Sequence, residues 1–224
     1  MKAAVVAIDG PAGAGKSTVS RRLAQALGFR YVDTGAMYRV VGILAAERGL
    51  DLTDASALGH LCEQLDIAFA DRADGVSILA DGRDLTAAIR TAEAGQLASR
   101  VSTQPAVRSR LVALQRRLGA GGGVVMEGRD IGTVVFPDAA VKFYLTATPA
   151  ERARRRCAEL SARGEATDHA AVAREIAERD RRDAERTHSP LRPATDARVI
   201  DTTGQSIDAV VERLRAVAEK VLNP

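Results

Sequence analysis

Aromatic residues are scarce in this sequence: only 3% of its 224 residues are Phe, Trp or Tyr, and tryptophan is absent. A hydrophobic core must therefore be built mainly from Val, Leu, Ile and Ala. Hydrophobic residues still make up 46% of the chain and charged residues 27%, which is ordinary for a water-soluble globular protein. The length is sufficient for one sizeable α/β domain with an insertion or two.

Cysteines are also few, and Cys62 and Cys157 lie far apart in the sequence. Two scattered cysteines exclude a disulfide framework and a zinc site of the usual spacing, so we expect reduced thiols and a cytoplasmic location. No apolar run is long enough to cross a bilayer. The sequence begins directly with a predicted strand, so we expect no signal peptide and no membrane partner.

A strong charge of one sign is missing as well, since the net charge is 32 − 29 = +3. A dedicated nucleic-acid-binding protein usually carries a larger basic excess, so no nucleic-acid partner is expected. The three histidines, His60, His169 and His188, have the spacing of neither a metal site nor a catalytic triad. We assign them to the surface without a role.

What the sequence does contain is an alternation of short apolar runs with longer helical patterns, which is typical of a parallel sheet covered by helices. The runs are apolar almost throughout because both faces of such a sheet are buried. The predicted strands are Ala3–Ile8, Phe29–Asp33, Gly123–Glu127, Val141–Ala147 and Ala197–Thr202. The predicted helices are Lys16–Leu27, Ala36–Arg48, Pro105–Leu118 and Ser206–Leu222.

Local signals mark several ends of these elements. Gly49 is predicted to end the second helix, and Ser206 to cap the last one. Thr148 and Glu151 have the spacing of a capping box at the start of a further helix. Two segments depart from the alternation: 65–88 has period-two patterning broken by Asp-Gly turns and predicts a small antiparallel meander, and 151–186 is dense in charges of both signs.

The stretch GPAGAGKS, Gly10 to Ser17, matches the pattern G-x-x-x-x-G-K-[ST] between a predicted strand and a predicted helix. Its glycines let successive backbone N–H groups point at one anion, and the helix start adds its dipole. We expect Lys16 to reach the β- and γ-phosphates of a nucleoside triphosphate, Ser17 to bind Mg²⁺ and Thr18 to contact the α-phosphate. The predicted ATP-binding residues are Gly10, Pro11, Ala12, Gly13, Ala14, Gly15, Lys16, Ser17 and Thr18.

A regulatory GTPase would need the guanine-reading pattern N-K-x-D, which the sequence lacks. Instead, arginines follow the predicted strands at their carboxyl ends, where open α/β sheets bind ligands. Arginine clamps are typical of phosphoryl transfer. After the second strand, Tyr38 and Arg39 are predicted on the first helical turn, where they either bind a second phosphate or lie beside a helix cap.

Three further segments are candidates for the site, and the first two leave two interpretations each. Glu127–Asp130 is either a site at a strand end or an ion pair in a loop. Arg179, Asp183 and Arg186 share one helix face, and by spacing alone a solvated face is favoured over a site. The arginines at 152 and 154–156 follow the fourth strand and suggest a cover that closes over phosphates.

Together, these motifs resemble the bacterial cytidylate kinases, which are nucleoside monophosphate kinases for CMP and dCMP. The resemblance covers nearly the whole chain and is carried by Ile8–Thr18, Asp33–Arg39, Glu127–Ala139, Glu151–Arg156 and Glu178–Leu191. GRDIGTVVFPDA after the central strand is the most specific of these motifs, since the Gly-rich cradle is shared by many families.

The resemblance implies a three-layer P-loop fold with a five-stranded parallel sheet in the order 2-3-1-4-5. It also implies one kinase domain over 1–224, with a nucleotide-acceptor insert at about 62–103 and a short lid with its following helix at about 152–186. The meander fits the insert. The family further implies a monomer that uses ATP and Mg²⁺.

The resemblance also implies roles for individual residues. Cytosine would be read by Ser99, Arg108 and Asp130, because a carboxylate accepting from N4 and an arginine donating to N3 or O2 complement this base. The other implied acceptor contacts are Thr34, Tyr38, Arg39, Arg129, Arg179, Asp183 and Arg186. Lys16, Arg129, Arg186 and Arg155 are the implied catalytic residues, and Asp33 is a candidate for metal-bound water.

The predicted reaction is phosphoryl transfer from ATP to CMP or dCMP. Another small-molecule P-loop kinase, acting for example on shikimate or dephospho-coenzyme A, is an alternative that would share the cradle but lack GRDIGTVVFPDA and the meander. A non-catalytic nucleotide- or RNA-binding regulator is the alternative from a different class, and it would bind RNA in a salt-sensitive way.

Overall fold

The structure, a computed structural model, describes residues 4–72 and 75–222 of the chain. Eight strands lie in the described residues: β1 (Val5–Asp9), β2 (Arg30–Asp33), β3 (Ile67–Arg72), β4 (Gly75–Ala80), β5 (Arg83–Asp84), β6 (Val124–Gly128), β7 (Val141–Thr146) and β8 (Arg198–Asp201). The helices are α1 (Lys16–Leu27), α2 (Thr34–Glu47), α3 (Ala55–Gln64), α4 (Ala92–Val101), α5 (Pro105–Gly119), α6 (Pro149–Ser161), α7 (His169–Glu185) and α8 (Ile207–Leu222).

Five of the strands form one sheet in the order β2-β6-β1-β7-β8. The pairs β1–β6, β1–β7 and β7–β8 are parallel, and β1 and β6 are buried along their whole length. Numbered within this sheet, the order is 2-3-1-4-5, so the predicted fold class and strand order are confirmed. The predicted small antiparallel sheet is also present, as β3-β4-β5.

The described chain divides into two compact units. The first comprises residues 4–31 and 121–222 and contains the phosphate-cradle motif. Its core packs α1 and α8 against the sheet through side chains such as Ile8, Leu23, Phe143 and Leu214. With a single phenylalanine among the buried side chains of this cluster, small aliphatic residues do fill most of the core.

The second unit comprises residues 32–120. Helix α2 is its central element and packs closely on α4: a Cβ on Gly42 would lie 2.7 Å from Cβ of Leu97, so the two helices meet where no side chain fits. The β4–β5 turn has positive φ at Asp81 and Gly82, as a two-residue hairpin of the primed type requires. This second Asp-Gly turn of the predicted meander is therefore confirmed, whereas Asp74 of the first lies outside the described residues.

The observed helix ends correct three sequence-based expectations. Helix α2 begins at Thr34, because Asp33 accepts from the backbone N–H of Ala36 at 3.0 Å; Tyr38 and Arg39 thus lie on its second turn rather than its first. Only half of the predicted capping box at α6 forms. Thr148 Oγ1 accepts from the N–H of Glu151, but the Glu151 carboxylate binds arginines instead of returning to Thr148.

The third correction concerns α7, which ends at Glu185. Arg186 occupies the capping position with φ of −56° and ψ of 131°, so it lies just outside the helix that carries Arg179 and Asp183. The predicted caps Gly49 and Ser206 are confirmed: Gly49 has φ of 64°, and Ser206 Oγ accepts from the N–H of Ala209 at 3.2 Å. Ala3, the predicted first residue of β1, lies outside the described residues.

Candidate active site

The loop between β1 and α1, residues 10–15, is the phosphate cradle expected from the sequence. Gly10, Gly13 and Gly15 all have positive φ. A Cβ on Gly10 would lie 2.0 Å from the carbonyl oxygen of Leu145, so no side chain is possible there. Gly15 is the N-cap of α1 without a capping side chain, which leaves the first N–H groups of the helix for an anion.

Lys16 is the buried cation of this cradle. Its Nζ donates to the carbonyl oxygen of Pro11 at 2.7 Å, and its side chain is otherwise surrounded by protein. The pKa of Lys16 is lowered to about 7, first because the ammonium is buried and then because the Arg129 guanidinium lies nearby. An anion in the cradle would oppose both effects, so the protein holds this lysine ready for a phosphate.

Asp9, which the sequence analysis missed, is the last residue of β1 and directly precedes the cradle. Its two carboxylate oxygens accept from the N–H groups of Ile131 and Gly132, each at 2.8 Å. These N–H groups begin a π-helical turn, Ile131–Val135. Burial raises the pKa of Asp9 to about 6 despite the two backbone hydrogen bonds. Asp9 therefore ties the end of β1 to the segment GRDIGTVVFPDA, and its oxygens are committed to the backbone.

A cluster of arginines surrounds Asp183 in the same unit. Arg129 Nε donates to Asp183 Oδ2 at 3.0 Å, and Arg186 Nη2 lies 3.8 Å from Oδ1. The side chains of Asp183 and Arg186 are each only 5% exposed. Burial alone would raise the pKa of Asp183, but Arg129, Arg186 and Arg179 outweigh it and the pKa is lowered.

Two of these arginines also affect the lysine of the cradle, because the charges of Arg129 and Arg179 both lower the pKa of Lys16. The structure thus brings Lys16, Arg129, Arg179, Asp183 and Arg186 into one electrostatic cluster within the first unit. The solvated-face interpretation of the 179–186 segment does not fit such buried side chains. Asp130, also in this unit, is buried and opens the π-helical turn.

The arginines that follow β7 have different surroundings. Arg152 is buried and donates to the carbonyl oxygens of Ala147 and Ala12, both at 3.1 Å, and to Asp180. It therefore joins α6, α7 and the cradle. Arg154 is exposed and pairs with Glu151. Arg156 pairs with Glu159.

Arg155 lies at the edge of the cradle. Its Nε donates to Glu151 at 2.8 Å, its Nη1 to Thr202 Oγ1 at 2.9 Å and its Nη2 to the Thr202 carbonyl oxygen at 2.6 Å. A Cβ on Gly15 would lie 3.5 Å from Arg155 Nη1. Thr202 was not singled out by the sequence analysis; its place directly after a strand was the one signal that could have found it.

The second unit holds the remaining predicted contacts. Thr34 and Tyr38 are buried on α2, and Arg39 Nη1 lies 3.5 Å from Asp33 Oδ2. Arg108 is buried on α5, with its guanidinium carbon 5.8 Å from the centre of the Tyr38 ring, a cation–π distance.

A serine pair completes this group. Arg108 Nη1 lies 3.4 Å from the carbonyl oxygen of Ser102, and Ser102 Oγ donates to the carbonyl oxygen of Ser99 at 3.0 Å. The buried Ser99 hydroxyl has no hydrogen-bond partner among the described residues. Tyr38, Ser99 and Arg108 are therefore linked within one unit, and Ser99 keeps a hydroxyl for a ligand.

A glycine-lined cradle on a five-stranded parallel sheet, with a buried lysine and converging arginines, defines a P-loop phosphotransferase. A search of solved structures agrees on the fold: a gluconokinase from Sinorhizobium meliloti 1021 superposes with a TM-score of 0.52 at 14% identity, covering 99% of this chain and 95% of that one.

Sequence comparison is more specific. The model of the family "Cytidylate kinase" matches residues 6–220. A cytidylate kinase of Syntrophotalea carbinolica is 51% identical over 96% of this chain and 92% of its own length. One from Exiguobacterium sibiricum is 50% identical over 99% of this chain and 100% of its own length. The chain belongs to the cytidylate kinase family, and the resemblance inferred from its motifs is confirmed.

No helix in the described part of the chain is both long and apolar enough to span a membrane.

Proposed function

We propose that this protein transfers the γ-phosphoryl group of ATP to the phosphate of CMP or dCMP. The observation that carries the proposal is the cationic cluster of the first unit, which consists of the buried side chains of Lys16 and Arg186 and the half-buried Arg129 and Arg179. Burial and the charges of Arg129 and Arg179 lower the pKa of Lys16 even though Glu127 and Asp9 act in the opposite direction, so the charged form of Lys16 needs further negative charge at the cradle. A triphosphate together with an acceptor phosphate supplies it.

The donor is proposed to lie in the cradle with its β- and γ-phosphates at Lys16 and the N–H groups of α1. Lys16 would leave the Pro11 carbonyl to meet the phosphates. Arg129 and Arg186 are proposed to clamp the moving group, and Arg155 to add charge from the edge of the cradle. The acceptor phosphate is already ionised at neutral pH, so alignment and charge stabilisation suffice and no strong general base is required.

The metal proposal rests on Ser17, whose exposed side chain stands on the first turn of α1. A hydroxyl at this place fits Mg²⁺, which takes oxygen ligands and keeps several from phosphate and water. Asp9 is not proposed as a ligand, since each of its oxygens already accepts from a backbone N–H group. When bound, the metal would neutralise phosphate charge. Asp33, whose Oδ2 lies 3.5 Å from Arg39 Nη1, stays a proposed contact to metal-bound water.

The acceptor base is proposed to be read by Ser99, Arg108 and Asp130. The proposed contacts to the acceptor phosphate are Tyr38, Arg39, Arg129 and Arg186, those to the acceptor sugar are Arg179 and Asp183, and Thr34 is a further acceptor contact. The unpartnered Ser99 hydroxyl supports this assignment, as does the buried guanidinium of Arg108. The nucleotide-acceptor insert is proposed at about 62–103, a range that includes the antiparallel sheet β3-β4-β5. The lid segment is proposed at about 152–186. The protein is proposed to be a cytoplasmic monomer. Both of its cysteines are free thiols.

An assay of ADP release from ATP and Mg²⁺, with no acceptor, CMP, dCMP, UMP, AMP or shikimate, tests the proposal. We expect turnover with CMP and dCMP, weaker turnover with UMP and still weaker turnover with AMP. Replacing Lys16 by Ala should lower turnover with CMP by about 10²- to 10⁴-fold while thermal unfolding stays within a few degrees. Equal ADP release without any acceptor, or turnover of shikimate but not CMP, would overturn the proposal.

A further inference from the structure

Thr202 is a buried hydroxyl that joins three parts of the first unit. It follows β8 directly and is 2% exposed. Its Oγ1 lies 3.2 Å from the carbonyl oxygen of Ala14 and 3.0 Å from that of Thr146. The same oxygen accepts from Arg155 Nη1, and the Thr202 carbonyl accepts from Nη2. One residue thus contacts the cradle, the sheet and the arginine above the cradle.

The position of Arg155 follows from these contacts. Its side chain is 24% exposed, so water does not fully screen its charge. Three of its five N–H groups are used by Glu151 and Thr202 in the described structure, and two are left for a ligand. Because Nη1 lies 3.5 Å from the site of a Gly15 Cβ, these N–H groups are next to the N-terminus of α1, where phosphate binds.

We propose that Thr202 is a positioning residue for phosphoryl transfer, which holds Arg155 over the Gly15 end of the cradle. Glu151 pairs with Arg155 on the same helix and also with Arg154, so it neutralises charge without fixing the guanidinium against the cradle. Thr202 fixes the guanidinium, because its hydroxyl and carbonyl oxygens lie directly after strand β8 of the sheet. The inference rests on the proposed function only in taking ATP as the donor.

The test is a double-mutant cycle on the full-length protein with ATP, Mg²⁺ and CMP. The variants are Thr202→Val, which keeps the shape and removes the hydroxyl, Arg155→Met, and the two combined. We expect Thr202→Val to lower kcat/KM for ATP by about 10- to 100-fold, as for a lost hydrogen bond to a charged group. In the Arg155→Met background the same change should cost less than about twofold, because its partner is already gone. KM for CMP should stay within about twofold.

Two controls separate positioning from folding. Thr202→Ser keeps the hydroxyl and should stay within about threefold of the original protein. Thr203→Val removes the neighbouring hydroxyl, which accepts from the N–H of Thr148 rather than from Arg155, and should leave kcat/KM for ATP within about threefold. If Thr202→Val does not fold, Thr202→Ala takes its place in both backgrounds.

Equal losses in the two backgrounds would overturn the proposal, since Thr202 would then act on the cradle without Arg155. A Thr202→Ser variant as poor as Thr202→Val would also contradict it. Neither result contradicts the proposed function, which is tested separately by whether the unaltered protein forms ADP in response to CMP.

Discussion

Among single residues, Lys16 gives the clearest pH-dependent prediction. Its pKa in the ligand-free protein is about 7, against an ordinary value near 10.4. Binding of a triphosphate favours the ammonium, so the protein should take up a proton when it binds Mg·ATP between about pH 7 and 9. At pH 6 the lysine is already protonated and the uptake should fade.

Titration calorimetry in two buffers of different ionisation enthalpy measures this uptake directly. Lys16→Arg is the matched control, because a guanidinium remains protonated throughout this pH range. The original protein at pH 8 should take up a substantial fraction of one proton more than the variant. Identical buffer dependence for both would show that the lysine is charged before the nucleotide arrives.

Asp130 carries a prediction about base selectivity. A carboxylate that accepts from cytosine N4 faces an O4 acceptor when uracil is bound, and a buried mismatch costs about 1–3 kcal/mol. Asp130→Asn should therefore lower kcat/KM for CMP by about tenfold or more. The ratio of kcat/KM for CMP to kcat/KM for UMP should fall as well. Equal losses for both acceptors would remove Asp130 from base reading.

The residues that could be predicted from the sequence are those in short motifs with fixed spacing. Gly10–Ser17 is one such pattern, because its spacing alone dictates a positive-φ loop before a helix. Asp9 and Thr202 could not be predicted, since an aspartate or threonine after a strand is common. Asp9 binds Ile131, 122 residues away, and Thr202 binds Arg155, 47 residues away. Their roles depend on packing between strands.

Among the elements, helices α2 and α3 are both capped by an aspartate and allow a matched comparison. Asp33 caps α2 through Ala36 N–H, and Asp54 caps α3 through Ser56 and Ala57 N–H. Replacing either by Ala should lower the free energy of unfolding by about 1 kcal/mol. Asp33 also lies 3.5 Å from Arg39, whereas no ion pair to Asp54 is seen in the described residues.

The comparison separates stability from function. In denaturant unfolding, the two variants should lose similar stability. In the ADP-release assay, only Asp33→Ala should raise KM for CMP, by about three- to tenfold, because Arg39 loses its neighbour and the helix start that presents it. An equal effect of Asp54→Ala on KM would show that the loss is a general consequence of destabilisation.

Sequence patterns predicted some helices and strands more closely than others. Strand β6 and helix α1 are long or strongly apolar and were predicted closely. Helix α3 was missed because only Leu58, Leu61 and Cys62 of its ten residues are buried, too few to show a periodic face. The π-helical turn Ile131–Val135 was missed because the Asp9 carboxylate, distant in sequence, holds its first N–H groups.

For the whole molecule, the sheet order followed from the family resemblance, and the alternation of strands and helices followed from the residues. The division into two compact units did not follow from either, because it depends on how many contacts each segment makes within its own unit. The cradle residues lie in the first unit, and Tyr38, Ser99 and Arg108 lie in the second.

At this scale the central claim is that phosphate moves from one nucleotide to the phosphate of another. Phosphorus NMR of a mixture of protein, Mg²⁺, ATP and CMP tests it most directly, because CDP gives two coupled phosphorus signals that CMP does not. We predict that these signals grow in step with those of ADP, with no inorganic phosphate. Inorganic phosphate in place of CDP, or an unchanged CMP signal while ATP is consumed, would contradict the account.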